Sequence, residues 1–157
     1  MAACRYPPHG LRGSGAGLAT ATWPEPDRYL DSADEQVMVV TIIEDAAAVS
    51  RIDEIAATPG LDVVFIGTSD LSFSMGYRGR QDVAEVQAAI DRVREAAARH
   101  GKVVGRPAGT TSQIQSGLEQ GFRFFQLNSD LSLLELGAKS VLEPLGRGPV
   151  AGPRALY

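Results

Sequence analysis

Cysteine is nearly absent from this chain: Cys4 is the single one in 157 residues. An intrachain disulfide is therefore excluded, and so is a cysteine-based zinc site. Lysine is almost as scarce. Lys102 and Lys139 stand against 13 arginines, which narrows any mechanism that needs a Schiff-base lysine. Histidine occurs twice. His9 sits in a proline-rich loop, and His100 reads as a cation at a helix C-terminus; a serine triad finds little support. No apolar run approaches the ~18 residues of a membrane span, and the N-terminus lacks the apolar stretch of a signal peptide. The expectation is a soluble cytoplasmic protein with no membrane contact. A basic surplus is also missing: 15 cationic against 19 acidic residues give 15 − 19 = −4. Without a basic stripe, nucleic acid is not an expected partner. Finally, no glycine-rich phosphate fingerprint follows a strand. GSGAG at residues 13–17 lacks the preceding strand that would give it meaning.

What is present reads as an ordinary globular chain, with 44% hydrophobic and 22% charged residues, which rules out intrinsic disorder. Residues 1–24 are rich in Gly, Pro and small side chains and read as an ordered loop leading into a short helix. VMVVTII at 37–43 and DVVFI at 62–66 are short apolar runs of the kind buried on both faces of a parallel sheet. KVVG at 102–105 and RFFQL at 123–127 are two more strands. Between them the spacing predicts helices over 45–57, 83–99 and 112–119, and a last apolar helix over 131–142. Pro59-Gly60 and Gly101 stop the first two, Thr111 or Ser112 caps the third, and residues 67–80 read as a loop. Alternating β and α segments with short turns argue for parallel strands joined by right-handed crossovers. Periodicity alone leaves an open doubly wound sheet and an arc of a barrel as alternatives.

In such folds function gathers at the C-terminal ends of the strands. There the sequence puts Glu44, then Gly67-Thr68-Ser69-Asp70, then Arg106-Pro107, then Gln126, Asn128, Ser129 and Asp130. Glu44 and Asp70 are one βα unit apart. Adjacent strands lie ~4.8 Å apart, so the two carboxylates can share one rim. Two such charges suit a divalent cation completed by water and a bidentate substrate. The structural alternative is that Glu44 faces the N-terminus of its helix and Asp70 caps a turn.

The segments CRYPPHGLRGSG at 4–15, IE at 43–44, VVFIGTSDLSFSMGY at 63–77 and GKVVG at 101–105 resemble the HpcH/HpaI aldolases, which are metal-dependent 2-oxo-acid aldolases related to the citrate lyase β subunit. The match runs from residue 4 to about 145. The resemblance implies the C-terminal portion, about four βα units, of a (β/α)8 TIM-type barrel. A complete barrel takes ~250 residues and at least ~200, so the expectation is a partial one. The resemblance further implies class II aldolase chemistry, cleaving 4-hydroxy-2-oxo acids to pyruvate and an aldehyde. It implies Glu44 and Asp70 as ligands of Mg²⁺, Mn²⁺ or Co²⁺. Gly67, Thr68, Ser69 and Asp70 become the substrate-binding loop, in which the Ser69 and Asp70 N–H groups hold the pyruvate carboxylate. Arg12 belongs to the loop that closes beside the substrate, shaped by Tyr6 and Pro7-Pro8. Two positions depart from the family pattern. Ile42 stands where many relatives carry Gln, and Thr68 replaces a proline.

On this reading residues 1–30 are a Pro/Gly-rich substrate loop and short helix, 31–145 are half-barrel βα units, and 146–157 are a flexible tail. The family segment carrying the first strands, a His–Asp pair and a carbonyl-polarising Arg has no counterpart here. That keeps open a second expectation, an inactive half-barrel that binds metal or partner chains. The strands at 38–43 and 123–127 would be open edges, so a homo-oligomer is expected.

Overall fold

Four short apolar segments dictate the architecture. In the computed structural model, which describes residues 1–21 and 28–146, β1 (Val40–Ile43), β2 (Val63–Ile66), β3 (Val103–Pro107) and β4 (Phe124–Gln126) form one sheet in the order β1-β2-β3-β4. Every neighbouring pair is parallel, with Val40 opposite Val63, Val63 opposite Val103, and Gly105 opposite Phe124. Ahead of the sheet lie α1 (Leu18–Ala21) and α2 (Tyr29–Gln36). The first crossover is made by α3 (Ala46–Ser50) and α4 (Ile52–Ala56). The second is made by α5 (Thr68–Ser74) and α6 (Ala84–Arg99), and the third by α7 (Thr111–Glu119). After β4 comes α8 (Asp130–Leu142).

Side chains alternate across a strand, and the register sorts them into two faces. Ile43, Val64, Ile66 and Val104 point into the layer of helices. There they meet Ile52 of α4, Leu71 of α5, and Val86, Ile90 and Val93 of α6 in the main core, with Phe122. The three-and-four spacing of Val86, Ala89, Ile90, Val93, Ala96 and Ala97 is what lays α6 along this face. The opposite face carries Val40, Ile42, Val63, Phe65, Val103 and Phe124 and stands apart from that core. Ile42 is 56% exposed on it, while Phe65 is buried edge-on against Phe124, with ring centroids 6.1 Å apart. Gly105 lets the two rings meet: a Cβ there would lie 2.9 Å from Phe65 Cδ2 and 2.7 Å from the Phe124 carbonyl oxygen. Among the described residues β1 and β4 are the sheet edges. No residue of α8 is buried, and Leu131, Leu133, Leu134 and Leu136 all face solvent.

Four local expectations are corrected. The 45–57 helix is two helices, because the Arg51 N–H bonds to the Ala48 and Val49 carbonyls where the first one ends. The apolar face continues across that break through Val49, Ile52 and Ala56. Residues 68–74, expected as loop, are α5. Buried Ser72 holds it, donating to the Ser69 carbonyl at 2.6 Å and accepting the Gly79 N–H at 2.9 Å. Thr110, not Thr111 or Ser112, caps α7, in a capping box with Gln113. β3 runs on through Pro107, which pairs with Gln126 at the edge strand. Of the expected tail, all but Gly146 lies outside the described residues.

Candidate active site

Glu44 is the first residue past β1, and Gly67 is the first past β2. The Gly67 N–H donates to the Ile43 carbonyl at 3.0 Å, which extends the β1–β2 pairing by one step. Gly67 has no side chain to obstruct Glu44; a Cβ there would meet Glu44 Cβ at 3.0 Å and Oε2 at 3.1 Å. The next residues turn directly into α5, which puts Asp70 in its first helical turn. The Ala46 N–H donates to Ser74 Oγ at 3.0 Å and ties the two loops together. Glu44 and Asp70 therefore stand at the C-terminal ends of adjacent strands, on one rim.

The neighbouring acid, Asp45, has a different task. Its Oδ1 accepts the Ala48 N–H at 2.8 Å and caps α3. Glu44 does not cap its helix. Both Glu44 and Asp70 are exposed, and among the described residues neither carboxylate has a hydrogen-bond or ion-pair partner. At the start of α5 the first intrahelical bond is Leu71 N–H to the Gly67 carbonyl. The N–H groups of Thr68, Ser69 and Asp70 thus have no acceptor within the helix. Thr68 is buried, whereas Ser69 and Asp70 face solvent.

The proline-rich loop is ordered by α2. Tyr6 N–H donates to Asp34 Oδ1 at 2.8 Å, and Arg5 Nη1 donates to the Asp34 carbonyl at 2.8 Å. Arg12 donates to the Tyr29 hydroxyl at 3.0 Å and lies 4.6 Å over the Tyr6 ring, which meets Tyr29 edge-on. The Arg12 contacts are thus with Tyr6 and Tyr29 and not with Glu44 or Asp70. Gly60, in the turn leading into β2, has Met1 and Arg5 beside it. That end of β2 is opposite to the carboxylate rim. His9 is exposed, with Nδ1 3.4 Å from Asp34 Oδ2. Lys102 donates to the Leu61 carbonyl at the far end of β2, and Lys139 pairs with Glu143 beyond β4. At the β4 rim the polar residues serve the backbone. Asn128 donates to the Gly109 carbonyl, Ser129 caps α8, and Asp130 Oδ1 accepts the Leu131 N–H.

The family model for HpcH/HpaI aldolase/citrate lyase matches residues 1–135. The chain belongs to this family. Among curated HpcH/HpaI relatives, it is 42% identical over 146 residues to the hydroxypyruvate/pyruvate aldolase of Delftia acidovorans. It is 43% identical over 136 residues to the 4-hydroxy-2-oxovalerate aldolase of Rhodococcus jostii. The crystal structure of a HpcH/HpaI aldolase/citrate lyase family protein from Burkholderia cenocepacia superposes with a TM-score of 0.80 at 33% identity, over 91% of this chain and 57% of that one. The two curated alignments take in 92% and 84% of this chain but 53% and 51% of the relatives. The chain thus spans about half the length of the curated relatives it matches. Its four parallel βα units are a portion of the HpcH/HpaI barrel.

The donor set fits a hard divalent ion that brings most of its own ligands. Among the described residues no group of three or more His, Cys, Asp and Glu side chains is gathered. The protein contribution at this rim is two carboxylates, with Glu44 lying over a residue that has no side chain, Gly67. Carboxylate and water ligation suits Mg²⁺ or Mn²⁺, which retain waters and substrate oxygens in their coordination shell.

Proposed function

We propose that this chain carries the metal- and 2-oxo-acid-binding portion of a class II aldolase, one that cleaves 4-hydroxy-2-oxo acids to pyruvate and an aldehyde. The observation that carries the reading is the Glu44–Asp70 pair: two exposed carboxylates just past adjacent parallel strands, neither with a hydrogen-bond or ion-pair partner among the described residues. Mg²⁺, Mn²⁺ or Co²⁺ held there would supply Lewis acidity to the 2-oxo and carboxylate oxygens of the substrate.

The chain's own residues do the rest by positioning. Ser69 and Asp70 present backbone N–H groups at the start of α5, where the helix has no acceptor for them, and these suit a substrate carboxylate. Buried Thr68 and Ser72 fix that turn, so the donors are held in place before substrate arrives. Absence of a side chain at Gly67 keeps the approach to Glu44 open. Arg12, over the Tyr6 ring and hydrogen-bonded to the Tyr29 hydroxyl, keeps the proline-rich loop in one shape. The exposed leucines of α8 and the apolar sheet face with Val40 and Ile42 support an assembly of more than one copy.

The test is Mn²⁺ binding followed by electron paramagnetic resonance, together with exchange of pyruvate methyl protons for deuterium followed by NMR. Saturable Mn²⁺ binding with metal-dependent exchange, both lost in Glu44→Gln and Asp70→Asn, is the expected result. Undiminished Mn²⁺ affinity in both variants would sink the proposal.

A further inference from the structure

On the helix side of the sheet, near the C-terminal end of β3, Arg106 is a cation without an anion among the described residues. The register pairs it with Phe125, on the face that β3 turns toward the helices. Its guanidinium carbon lies 5.4 Å from the centroid of the Phe122 ring. Burial lowers its pKa from the usual arginine value. Among the described residues it has no carboxylate partner and no hydrogen-bond acceptor. Even half-burying a guanidinium without a counter-charge is unfavourable, and the ring face compensates for part of that loss.

Arg106 opens onto a pocket of about 250 Å³, lined also by Ser112, Gln113, Ser116 and Gly117 of α7. Among the described residues no acidic side chain lines it. The hydrogen bonds around the pocket leave donors unused on its lining residues. Gln113 Oε1 is occupied by the N–H groups of Gly109 and Thr110 at 2.8 and 3.2 Å, so its Nε2 remains to donate. Ser116 Oγ accepts from Gln120 at 3.2 Å, which leaves its own proton available. Ser112 shares a hydroxyl contact with Thr110 at 3.0 Å. Gly117 keeps the floor low; a Cβ there would collide with the Phe125 ring at 2.7 Å. One half-buried guanidinium, two exposed hydroxyls and an exposed amide nitrogen around a cavity form a donor-rich, singly positive site. The matching ligand chemistry is a small oxyanion, since a guanidinium fork binds phosphate or carboxylate oxygens in pairs.

We propose that Arg106, Ser112, Gln113 and Ser116 form a binding site for a small oxyanion, phosphate or a carboxylate, sharing no residue with the Glu44–Asp70 pair. The test uses the full chain labelled with ¹⁵N. Inorganic phosphate is titrated at constant ionic strength, with sodium acetate as the carboxylate arm and sodium chloride as the control. Expected are saturable shifts of the Arg106 side-chain resonance and of the amides of residues 112–117, absent with chloride. Whichever of phosphate and acetate saturates at lower concentration identifies the preferred oxyanion. Loss of the charge-assisted bonds in Arg106→Gln weakens binding about tenfold or more. Ser116→Ala, an exposed change that leaves the fold intact, weakens it by a smaller factor. Phosphate and acetate responses no different from chloride, or titrations unchanged in both Arg106→Gln and Ser116→Ala, would overturn the proposal.

Discussion

Glu44 lies directly over Gly67, so close that a single methyl group on the glycine would reach its carboxylate: the added Cβ would stand 3.1 Å from Glu44 Oε2 and 3.0 Å from Glu44 Cβ. Gly67 has φ −78° and ψ 77°, close to the inverse γ-turn, whose negative φ an alanine can also take. Gly67→Ala therefore acts on the side chain above it and not on the loop. The expected outcome is about 10- to 100-fold weaker Mn²⁺ binding, the range for displacing support around a ligand. Thermal unfolding without metal should change little. Isothermal titration and a melting scan on the same sample separate the two effects.

Metal binding should also appear as stability. A ligand that binds the native state alone stabilises by mass action, by about 2.7 kcal/mol at 100 times its dissociation constant. Wild-type protein should melt at progressively higher temperature as Mn²⁺ is added, and EDTA should reverse the gain. Glu44→Gln and Asp70→Asn should show flat responses. Without metal each variant should be as stable as wild type, within about 0.5 kcal/mol, because the carboxylates are exposed and have no partner among the described residues. A large stability loss in the metal-free variants would mean that these side chains serve the fold.

The placement of Glu44 and Asp70 past adjacent parallel strands was legible in the sequence because it rests on periodicity. Two apolar runs of strand length, separated by a helix, put the residues that follow them at one rim whenever the strands are parallel. The polar residues past β4 show the limit of that logic. Asn128, Ser129 and Asp130 also follow a strand, but capping and turn bonds occupy them. α5 was not legible, because TSDLSFS is poor in helix formers. Its helical state depends on Leu71 entering the core and on Ser72 bonding at both ends, and those are tertiary contacts. The Arg106 pocket is hidden for a similar reason. A lone arginine near a strand end gives no signal until register sets it beside Phe125 and α7 covers it. The capping box was within reach, since Thr110 and Gln113 have the spacing that defines it.

Gly105 should prove intolerant of even a small side chain. A Cβ there would lie 2.7 Å from the Phe124 carbonyl oxygen, 2.9 Å from Phe65 Cδ2 and 3.0 Å from Phe124 Cβ. One of these neighbours is backbone in the paired strand, so rotamer changes alone cannot relieve the contact. Gly105→Ala should destabilise by about 1–3 kcal/mol, as overpacking does. A lower urea midpoint with an unchanged slope is the expected signature.

One surface ion pair has a defined acid dependence. Asp53 Oδ1 accepts from Arg99 Nη2 at 2.8 Å, with His100 Nε2 3.5 Å away. The Arg99 hydrogen bond, with the charges of Arg99 and His100, holds the Asp53 carboxyl below its ordinary 3.8. A depressed folded pKa gives stability that is fully present above the unfolded value and lost as pH falls through the folded one. Asp53→Asn should therefore melt slightly below wild type at neutral pH, and the gap should close in acid, below about pH 3.8. Both side chains are more than half exposed, so added salt should narrow the gap too.

The last helix offers the sharpest test of assembly. α8 is 13 residues long with no buried side chain, and Leu131, Leu133, Leu134 and Leu136 stand 53 to 72% exposed. A helix that is apolar over much of its circumference needs cover. A second copy of the chain supplies an identical helix, and self-complementary apolar faces favour closed pairs. Light scattering of the wild type at micromolar concentration should report more than one copy. Leu134→Glu puts a charge where apolar contact is expected and should shift the population toward the monomer, with the far-ultraviolet circular dichroism of the βα units unchanged. If the wild type is monomeric throughout, α8 has another partner or none, and the assembly reading is wrong.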